Sequence, residues 1–107
     1  MRTSLPALLL ATLAMTACNP CAERCRVESR TIDDCLGDWG LQWADFEAEG
    51  AREFRDVCVA REKVWIESLD GSDQAAEIDA CLSLTGELRG SGSCEEIWEA
   101  LVGYGAG

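Results

Sequence analysis

The chain has 107 residues, with 9 basic and 20 acidic side chains, no His, and a formal net charge of −11. This length allows one small domain, whose apolar core would give only marginal stability without covalent staples. The negative charge excludes nucleic acid as a partner and favours basic partners or divalent cations. An apolar content of 48%, with four Trp and seven Cys, excludes a disordered chain.

The first eighteen residues have the pattern of an export signal. Arg2 precedes an apolar run from Leu5 to Ala14, and small side chains follow just before Cys18. The run is shorter than the ~20 apolar residues needed to cross a bilayer, and it contains Pro6. These features favour a cleaved signal peptide over a membrane helix.

The segment Met15-Thr16-Ala17-Cys18 resembles the lipobox of bacterial lipoproteins, with Met15 where that family prefers Leu. The resemblance implies cleavage before Cys18 by signal peptidase II, a diacylglyceryl thioether on its sulfur and, usually, an N-acyl group. Because each buried methylene contributes about 0.8 kcal/mol, two or three chains would hold the protein at a membrane effectively permanently. The alternative is that Cys18 is a structural Cys that follows an ordinary signal peptide.

The same resemblance bears on localisation. By lipoprotein sorting, Asn19 rather than Asp after the lipidated Cys implies an exported protein that reaches the bacterial outer membrane. Through its lipobox and its scatter of Cys and Trp, the whole chain also resembles the small Cys-rich lipoproteins of unknown function of Gram-negative bacteria. That likeness implies no activity.

Removing Cys18 for lipidation leaves an even number of cysteines, which predicts three disulfides in an exported module. The six are Cys21, Cys25, Cys35, Cys58, Cys81 and Cys94. Since Cys21 and Cys25 lie one helical turn apart with parallel side chains, we expect both to bridge to other helices. A nested set of pairs satisfies this, Cys35–Cys58, Cys25–Cys81 and Cys21–Cys94, with Cys81–Cys94 as a local competitor among the fifteen possible pairings.

The first predicted helix opens at Asn19-Pro20, as N-cap and first helical residue, and Gly37 is its predicted stop. Its apolar stripe consists of Cys21, Cys25, Ile32, Cys35 and Leu36. Four charged residues are expected to face solvent or lipid phosphates: Arg24, Arg26, Glu28 and Arg30.

Residues 38–50 predict a short helix or turn-rich connector. The surrounding segment 31–51 holds six acids and no base beside three aromatic residues. Either the aromatics cap the core and the acids are solvated, or the segment binds a basic or aromatic-seeking partner. The candidate interaction patch consists of Trp39, Trp43, Asp45, Phe46 and Glu47.

Apolar residues at spacings of three and four predict an amphipathic helix from Ala51 to Leu69. A turn at 70–72 follows, where Asp70 or Ser72 can cap a second helix over 73–85. The glycines within 86–92 predict a loop. A capping box at Ser93 then opens a last helix, whose apolar face is Ile97, Trp98, Leu101 and Val102.

Together these elements predict an all-α fold, a small disulfide-stapled bundle of three to four helices. The predicted organisation is a signal peptide at 1–17, a lipidated Cys and short tether at 18–20, a single domain at 21–103 and a frayed end at 104–107.

The absence of His removes the usual nucleophilic catalytic arrangements and the usual zinc ligand, so we expect no enzyme, no catalytic residues, no cofactor and no metal site. We therefore expect a membrane-anchored, non-enzymatic structural or protein-interaction module with an acidic surface. Its expected partners are membrane lipid, through Cys18, and a basic protein. The alternative is a carrier of a ligand or metal ion that uses the acidic and aromatic segment 31–51.

Overall fold

The structure of the protein is a computed structural model that describes residues 19–106. The expected signal peptide, Cys18 and Gly107 lie outside the described residues. Within them the chain forms four α-helices and one short 3-10 helix. The predicted all-α, disulfide-stapled bundle is confirmed.

The first helix, α1, spans Pro20–Trp39. Asn19 caps it as predicted, because its Oδ1 accepts hydrogen bonds from the backbone N–H groups of Cys21 at 2.9 Å and Ala22 at 3.3 Å. The helix runs past Gly37 and ends at Gly40, whose φ of +66° is the left-handed conformation that suits Gly. The predicted stop was therefore three residues too early.

A connector follows α1, as predicted. Its 3-10 helix spans Trp43–Phe46, and the backbone N–H of Gln42 donates to Asp45 Oδ2 at 2.8 Å. Glu47 ends it with a positive φ of 56°.

The helical hairpin that comes next consists of α2, Ala51–Glu67, and α3, Gly71–Gly90. Asp70 caps α3 by accepting from the N–H of Asp73 at 3.0 Å, and this bond lowers the pKa of Asp70. The predicted loop over 86–92 is wrong over most of its length. Leu84 and Leu88, four residues apart, are both buried, and their packing continues α3 to Gly90.

The last helix, α4, spans Cys94–Ala106. Ser93 Oγ accepts from the N–H of Glu96 at 3.2 Å, as the capping box predicts, but Glu96 reaches back to the N–H of Gly92 rather than to Ser93. The helix continues through Tyr104, which packs against the core cluster.

All six cysteines of the domain form disulfides, which confirms the three-disulfide framework, but all three predicted pairs are wrong. The observed pairs are Cys21–Cys81, Cys25–Cys58 and Cys35–Cys94. Each of the three α1 cysteines bridges a different helix. Cys21 is joined to α3, Cys25 to α2 and Cys35 to α4.

The physical reason for the different pairing is the register of the helices. The connector at 40–50 is long enough for α2 to return antiparallel to α1, which brings Cys58 opposite Cys25 rather than opposite Cys35. The start of α4 then takes the place beside Cys35.

The central helix is α1, which packs extensively on both α2 and α3, while those two barely contact each other. The core lies between α1, α3 and α4 and consists of Val27, Cys35, Leu84, Leu88 and Ile97. By contrast, α2 has no fully buried residue, although its sequence pattern is amphipathic. No helix in the range 19–106 is both long and apolar enough to span a bilayer.

Candidate functional site

Arg24 is buried, with only 5% of its surface exposed, although the sequence predicts it on a solvated face of α1. It lies where α2 and the end of α4 cover α1: Glu62 of α2 binds it, and its guanidinium carbon lies 5.2 Å from the ring centroid of Tyr104. Arg26 and Arg30 are exposed, as predicted. The prediction was wrong for Arg24 because a helix pattern does not show which turns later elements will cover.

Two carboxylates neutralise the buried guanidinium. Arg24 Nη1 donates to Glu28 Oε1 at 2.6 Å, and Nη2 donates to Glu62 Oε2 at 2.8 Å. Charge-assisted bonds of this kind are roughly twice as strong as neutral hydrogen bonds. Among the described residues, Arg24 Nε has no hydrogen-bond partner. The network thereby links α1 to α2 by charge as well as by the nearby Cys25–Cys58 disulfide.

A third carboxylate joins this network from α3. The Tyr104 hydroxyl donates to Glu77 Oε2 at 3.5 Å, and Glu77 also interacts with Glu62. Burial raises the pKa of Glu62, and Glu77 raises it further, against the opposing effect of Arg24. Burial likewise raises the pKa of Glu28 despite the attraction of Arg24, and it raises the pKa of Tyr104. The network thus holds three carboxyl groups and one guanidinium, with Glu28 and Glu62 bonded to Arg24 directly and Glu77 joined through Glu62 and Tyr104.

Beside this network lies a cavity of about 500 Å³, bounded by α1, the connector, α2 and Tyr104 of α4. One wall is aromatic: the ring centroids of Phe46 and Phe54 are 6.3 Å apart, and each ring also packs against Trp43. The rest of the lining is mostly charged, with more acids than bases: Arg24, Arg61, Glu28, Glu47, Glu53 and Glu62. We call this cavity the acidic-aromatic pocket.

The structure divides the predicted interaction patch. Phe46 and Glu47 line the acidic-aromatic pocket, and Trp43 supports its wall while its Nε1 donates to Asp33 Oδ1 at 2.8 Å. Asp45 caps the connector helix.

Trp39 belongs instead to the contact between α1 and α4. Its Nε1 donates to the Cys94 carbonyl at 3.0 Å, and its ring packs edge-on against Trp98. Trp39 therefore packs in a contact between two helices. The sequence had left this structural role open as the alternative to partner binding.

A larger depression of about 720 Å³ lies between α3 and α4. It is an open groove lined mainly by small residues and by three glutamates, and Tyr104 is its single aromatic residue. It contains no buried charge pair. We place the candidate site in the smaller pocket because, of these two cavities, it is the one that combines an aromatic wall with the buried Arg24 network.

Four potential metal ligands also meet beside this network. One atom each of Cys21, Glu62, Glu77 and Cys81 lies within 4.8 Å of the others. Both sulfurs, however, belong to the Cys21–Cys81 disulfide. Because the thiolate is the metal-binding form of Cys, the oxidised pair does not offer these two ligands.

Sequence reasoning did not assign Glu62, Glu77 and Tyr104 to any site. The one local signal was the spacing of Arg24 and Glu28, which places an ion pair on the same face of a helix. The other partners come from three different helices, 38 or more residues along the chain from Arg24.

The fold and the pocket together define a small helical bundle, stapled by disulfides, with a partly open acidic and aromatic pocket. Comparisons of the chain with protein-family models, curated proteins and solved structures found no match.

Proposed function

We propose that the protein is an exported lipoprotein, anchored to the bacterial outer membrane through acylated Cys18, whose helical domain is a non-enzymatic interaction module for a basic protein. The observation that carries the proposal is the pairing of all six domain cysteines with one another. The domain needs no seventh cysteine, which supports lipidation as the role of Cys18. Three disulfides also fit an oxidising, exported environment.

The acidic-aromatic pocket is the proposed contact with the partner. A Lys or Arg side chain entering it would lay its apolar stem on Phe46 and Phe54 and bring its charge to the glutamates. A bound cation would favour the ionised forms of Glu28 and Glu62, whose pKa values burial has raised. We therefore expect binding to weaken as the pH falls and these two groups take up protons.

The second candidate function is that of a carrier for a small organic cation. The pocket volume of about 500 Å³ lies within the usual range of small-ligand sites, and Phe46 and Glu47 of the acidic segment line it. Such a ligand would use the same carboxylates and aromatic rings as a basic side chain. The two functions differ in whether a free amine alone binds tightly.

The anchor is tested by expressing the full chain and a Cys18→Ala variant in a Gram-negative host. We expect the parent to fractionate with membranes and to carry acyl mass on residue 18, and we expect the variant to remain an unprocessed precursor. Because the uncleaved precursor keeps its apolar signal segment, the deciding readouts are cleavage and acyl mass: a variant that is cleaved and acylated like the parent would show that Cys18 is not the anchor.

Binding is tested by calorimetry on the detergent-solubilised, lipidated protein, with a Lys-rich peptide, its Glu-substituted counterpart and a simple diamine as ligands. The double variant Glu47→Gln/Glu53→Gln removes two charges from the pocket. The matched control Glu87→Gln/Glu99→Gln removes two charges from the open groove between α3 and α4.

We expect the pocket variant to lose at least tenfold in affinity for the basic peptide and the groove variant to lose much less. Equal losses would mean that net charge, rather than the pocket, determines binding. Tight binding of the diamine alone would favour the carrier.

A further inference from the structure

We propose that a groove between α1 and α2, lined by arginines from both helices, is a binding site for a phosphate group. We call it the arginine groove, after Arg26, Arg30, Arg52 and Arg55 in its lining. The phosphate belongs to a soluble phosphorylated molecule or to a phospholipid headgroup, and experiment separates these two sources. The proposal depends neither on the lipid anchor nor on the acidic-aromatic pocket.

Positive charge is concentrated in this groove. Its volume is about 380 Å³, and its lining contains four arginines and one acid, Asp33. The chain has nine basic residues, of which eight follow Arg2, so the groove holds half of the bases in a segment that carries all 20 acids. Because a cleft lined mainly by one sign of charge concentrates ions of the opposite sign, this strongly acidic domain has one local surface that attracts an anion.

The register of the two helices places arginines opposite each other. The Cys25–Cys58 disulfide holds α1 beside the antiparallel α2, and Arg30 lies five residues after Cys25 while Arg52 lies six residues before Cys58. At a rise of 1.5 Å per residue, the two arginines stand about 7.5 and 9 Å from the disulfide in the same direction. They therefore start from nearly the same height on the two walls of the groove.

The other two arginines are nearer to the disulfide on the same side of it. Arg26 lies one residue after Cys25 and Arg55 three residues before Cys58, which places them at about 1.5 and 4.5 Å along the helices. All four thus lie within about 7.5 Å of height. Packed helices have axes about 8–10 Å apart, so long side chains from both walls can converge on one small ligand.

The acid within the groove does not bind these arginines. Asp33 accepts a hydrogen bond from Trp43 Nε1 at 2.8 Å instead. Among the described residues, Arg30 and Arg52 form no ion pair. Their guanidinium groups, one on each wall, are available to a ligand.

The remaining two arginines have only surface partners. Arg26 pairs with Glu23 at 3.3 Å and Arg55 with Asp56 at 3.0 Å, and all four side chains are more than one third exposed. Exposed pairs of this kind are weak, so they oppose an incoming anion little. Each helix also carries its two arginines three or four residues apart, a spacing at which like charges repel and a bound anion would relieve the repulsion.

The chemistry of the lining favours phosphate over a carboxylate. All four bases are Arg, whose planar guanidinium group offers five N–H donors and binds phosphate oxygens through two parallel bonds. A carboxylate has two oxygens on one side of a single carbon atom. The oxygens of a phosphate point in several directions and carry more charge, so arginines on both walls can bind it at once.

Binding is tested by calorimetry on the lipidated protein in an uncharged detergent, with pyrophosphate as the phosphate probe and malonate as the carboxylate probe. Arg30→Gln and Arg52→Gln each remove one charge from one wall. The matched control Lys63→Gln removes the same charge from α2 outside the groove. Circular dichroism checks that each variant keeps the parent fold.

We expect each arginine variant to lose about tenfold or more in affinity for pyrophosphate, because each loses a charge-assisted pair, and Lys63→Gln to lose much less. Equal losses in all three variants would show that net charge determines binding and would overturn the site. A loss in only one arginine variant would overturn a ligand shared by both walls. Malonate binding as tight as that of pyrophosphate would overturn the choice of phosphate and favour an acidic peptide.

The source of the phosphate is tested by modification of arginines with phenylglyoxal, measured residue by residue with mass spectrometry. The parent protein is compared in phosphatidylcholine vesicles with and without phosphatidic acid, and with glycerol phosphate added in solution. Phosphatidic acid and glycerol phosphate carry the same phosphate monoester, with and without acyl chains. Arg61 lies outside the groove in the same chain and serves as the internal reference.

Selective protection of Arg30 and Arg52 by glycerol phosphate would support the site and identify a soluble phosphorylated ligand. Selective protection by phosphatidic acid alone would support the site and identify a phospholipid headgroup. If Arg61 is protected as strongly as Arg30 and Arg52, or if neither compound protects them, the proposed site is wrong.

Discussion

Replacing Arg24 with Met should strongly destabilise the protein at neutral pH. The substitution keeps an unbranched apolar stem but leaves Glu28 and Glu62 without their cation, and the side chains of these residues are only 13% and 15% exposed. Removing one partner of a buried ion pair typically costs 3–5 kcal/mol, because the remaining charge is left uncompensated. For a domain of this size, about 3 kcal/mol corresponds to a fall in melting temperature of at least ~12 °C.

The effect should depend on pH in a defined direction. Arg24 lowers the pKa of both carboxyl groups, so its removal raises their pKa values further above the ordinary 4.5. As the pH falls toward those values the carboxylates take up protons and no longer need a cation. The difference in stability between Arg24→Met and the parent should therefore be largest near neutral pH and should shrink toward pH 5.

The assay is thermal unfolding followed by circular dichroism, with disulfides intact, over a pH series. Arg26→Met is the matched control, since Arg26 pairs with Glu23 at 3.3 Å on the surface, where such pairs contribute at most about 1 kcal/mol. Adding Glu28→Gln and Glu62→Gln to Arg24→Met should restore more than half of the lost stability. If Arg24→Met unfolds like Arg26→Met, or if the added substitutions restore nothing, the buried charge network does not have the role described above.

Three further tests concern the buried charge network, two glycines and one disulfide. Glu77→Gln removes a negative charge that helps to raise the pKa of Glu62. The free energy of unfolding, measured by urea titration, should therefore fall less between pH 4.5 and neutral pH than it does in the parent. Gly40→Ala should destabilise the protein by about 1 kcal/mol because φ is +66°, whereas Gly86→Ala, inside α3 with open space around it, should stabilise it by about 1 kcal/mol. Replacing Cys35 and Cys94 together by Ala opens a loop with a sequence separation of 59 and should lower stability by about 4 kcal/mol in the chain-entropy model.

Each of these three has an outcome that would contradict it. Glu99→Gln, on the exposed side of α4, should leave the pH dependence unchanged, and an equal effect there would point to net charge instead. A stabilising Gly40→Ala would mean that α1 does not end in the left-handed conformation. Non-reducing peptide mapping must recover Cys35 linked to Cys94, and recovery of Cys35 linked to Cys58 would refute the helix register.

The direction of the pH effect in the parent follows from the same groups. Burial raises the pKa of Glu28 and Glu62 in the folded state above the value of about 4.5 expected in the unfolded chain. The folded state therefore binds more protons than the unfolded state above that pH, and the stability due to these groups decreases as the pH rises through their folded pKa values. Carboxylates whose attraction to a cation outweighs the cost of burial would show the opposite trend.

Local features of the chain were sufficient to predict the fold class. The cap at Asn19, the turn at Asp70 and the start of the last helix at Ser93 all depend on residues within four positions of one another, and all three are observed. The even number of cysteines after Cys18 predicted that all six would pair. Gly86 misled the prediction in α3, because the burial of the flanking Leu84 and Leu88 outweighs the weak helix propensity of Gly.

The sequence by itself therefore determined the helical class, the number of disulfides, the acidic character and the expectation of a lipid anchor, since each follows from composition or from short spacings. Only the tertiary structure decided which cysteines pair, that Arg24 is buried against Glu28 of its own helix and Glu62 of α2, and that Trp65 is half exposed. The reason is that these properties depend on how the helices are aligned along one another, and the length and conformation of the connectors set that alignment. The spacing of apolar residues within one helix does not predict how that helix aligns with its neighbours.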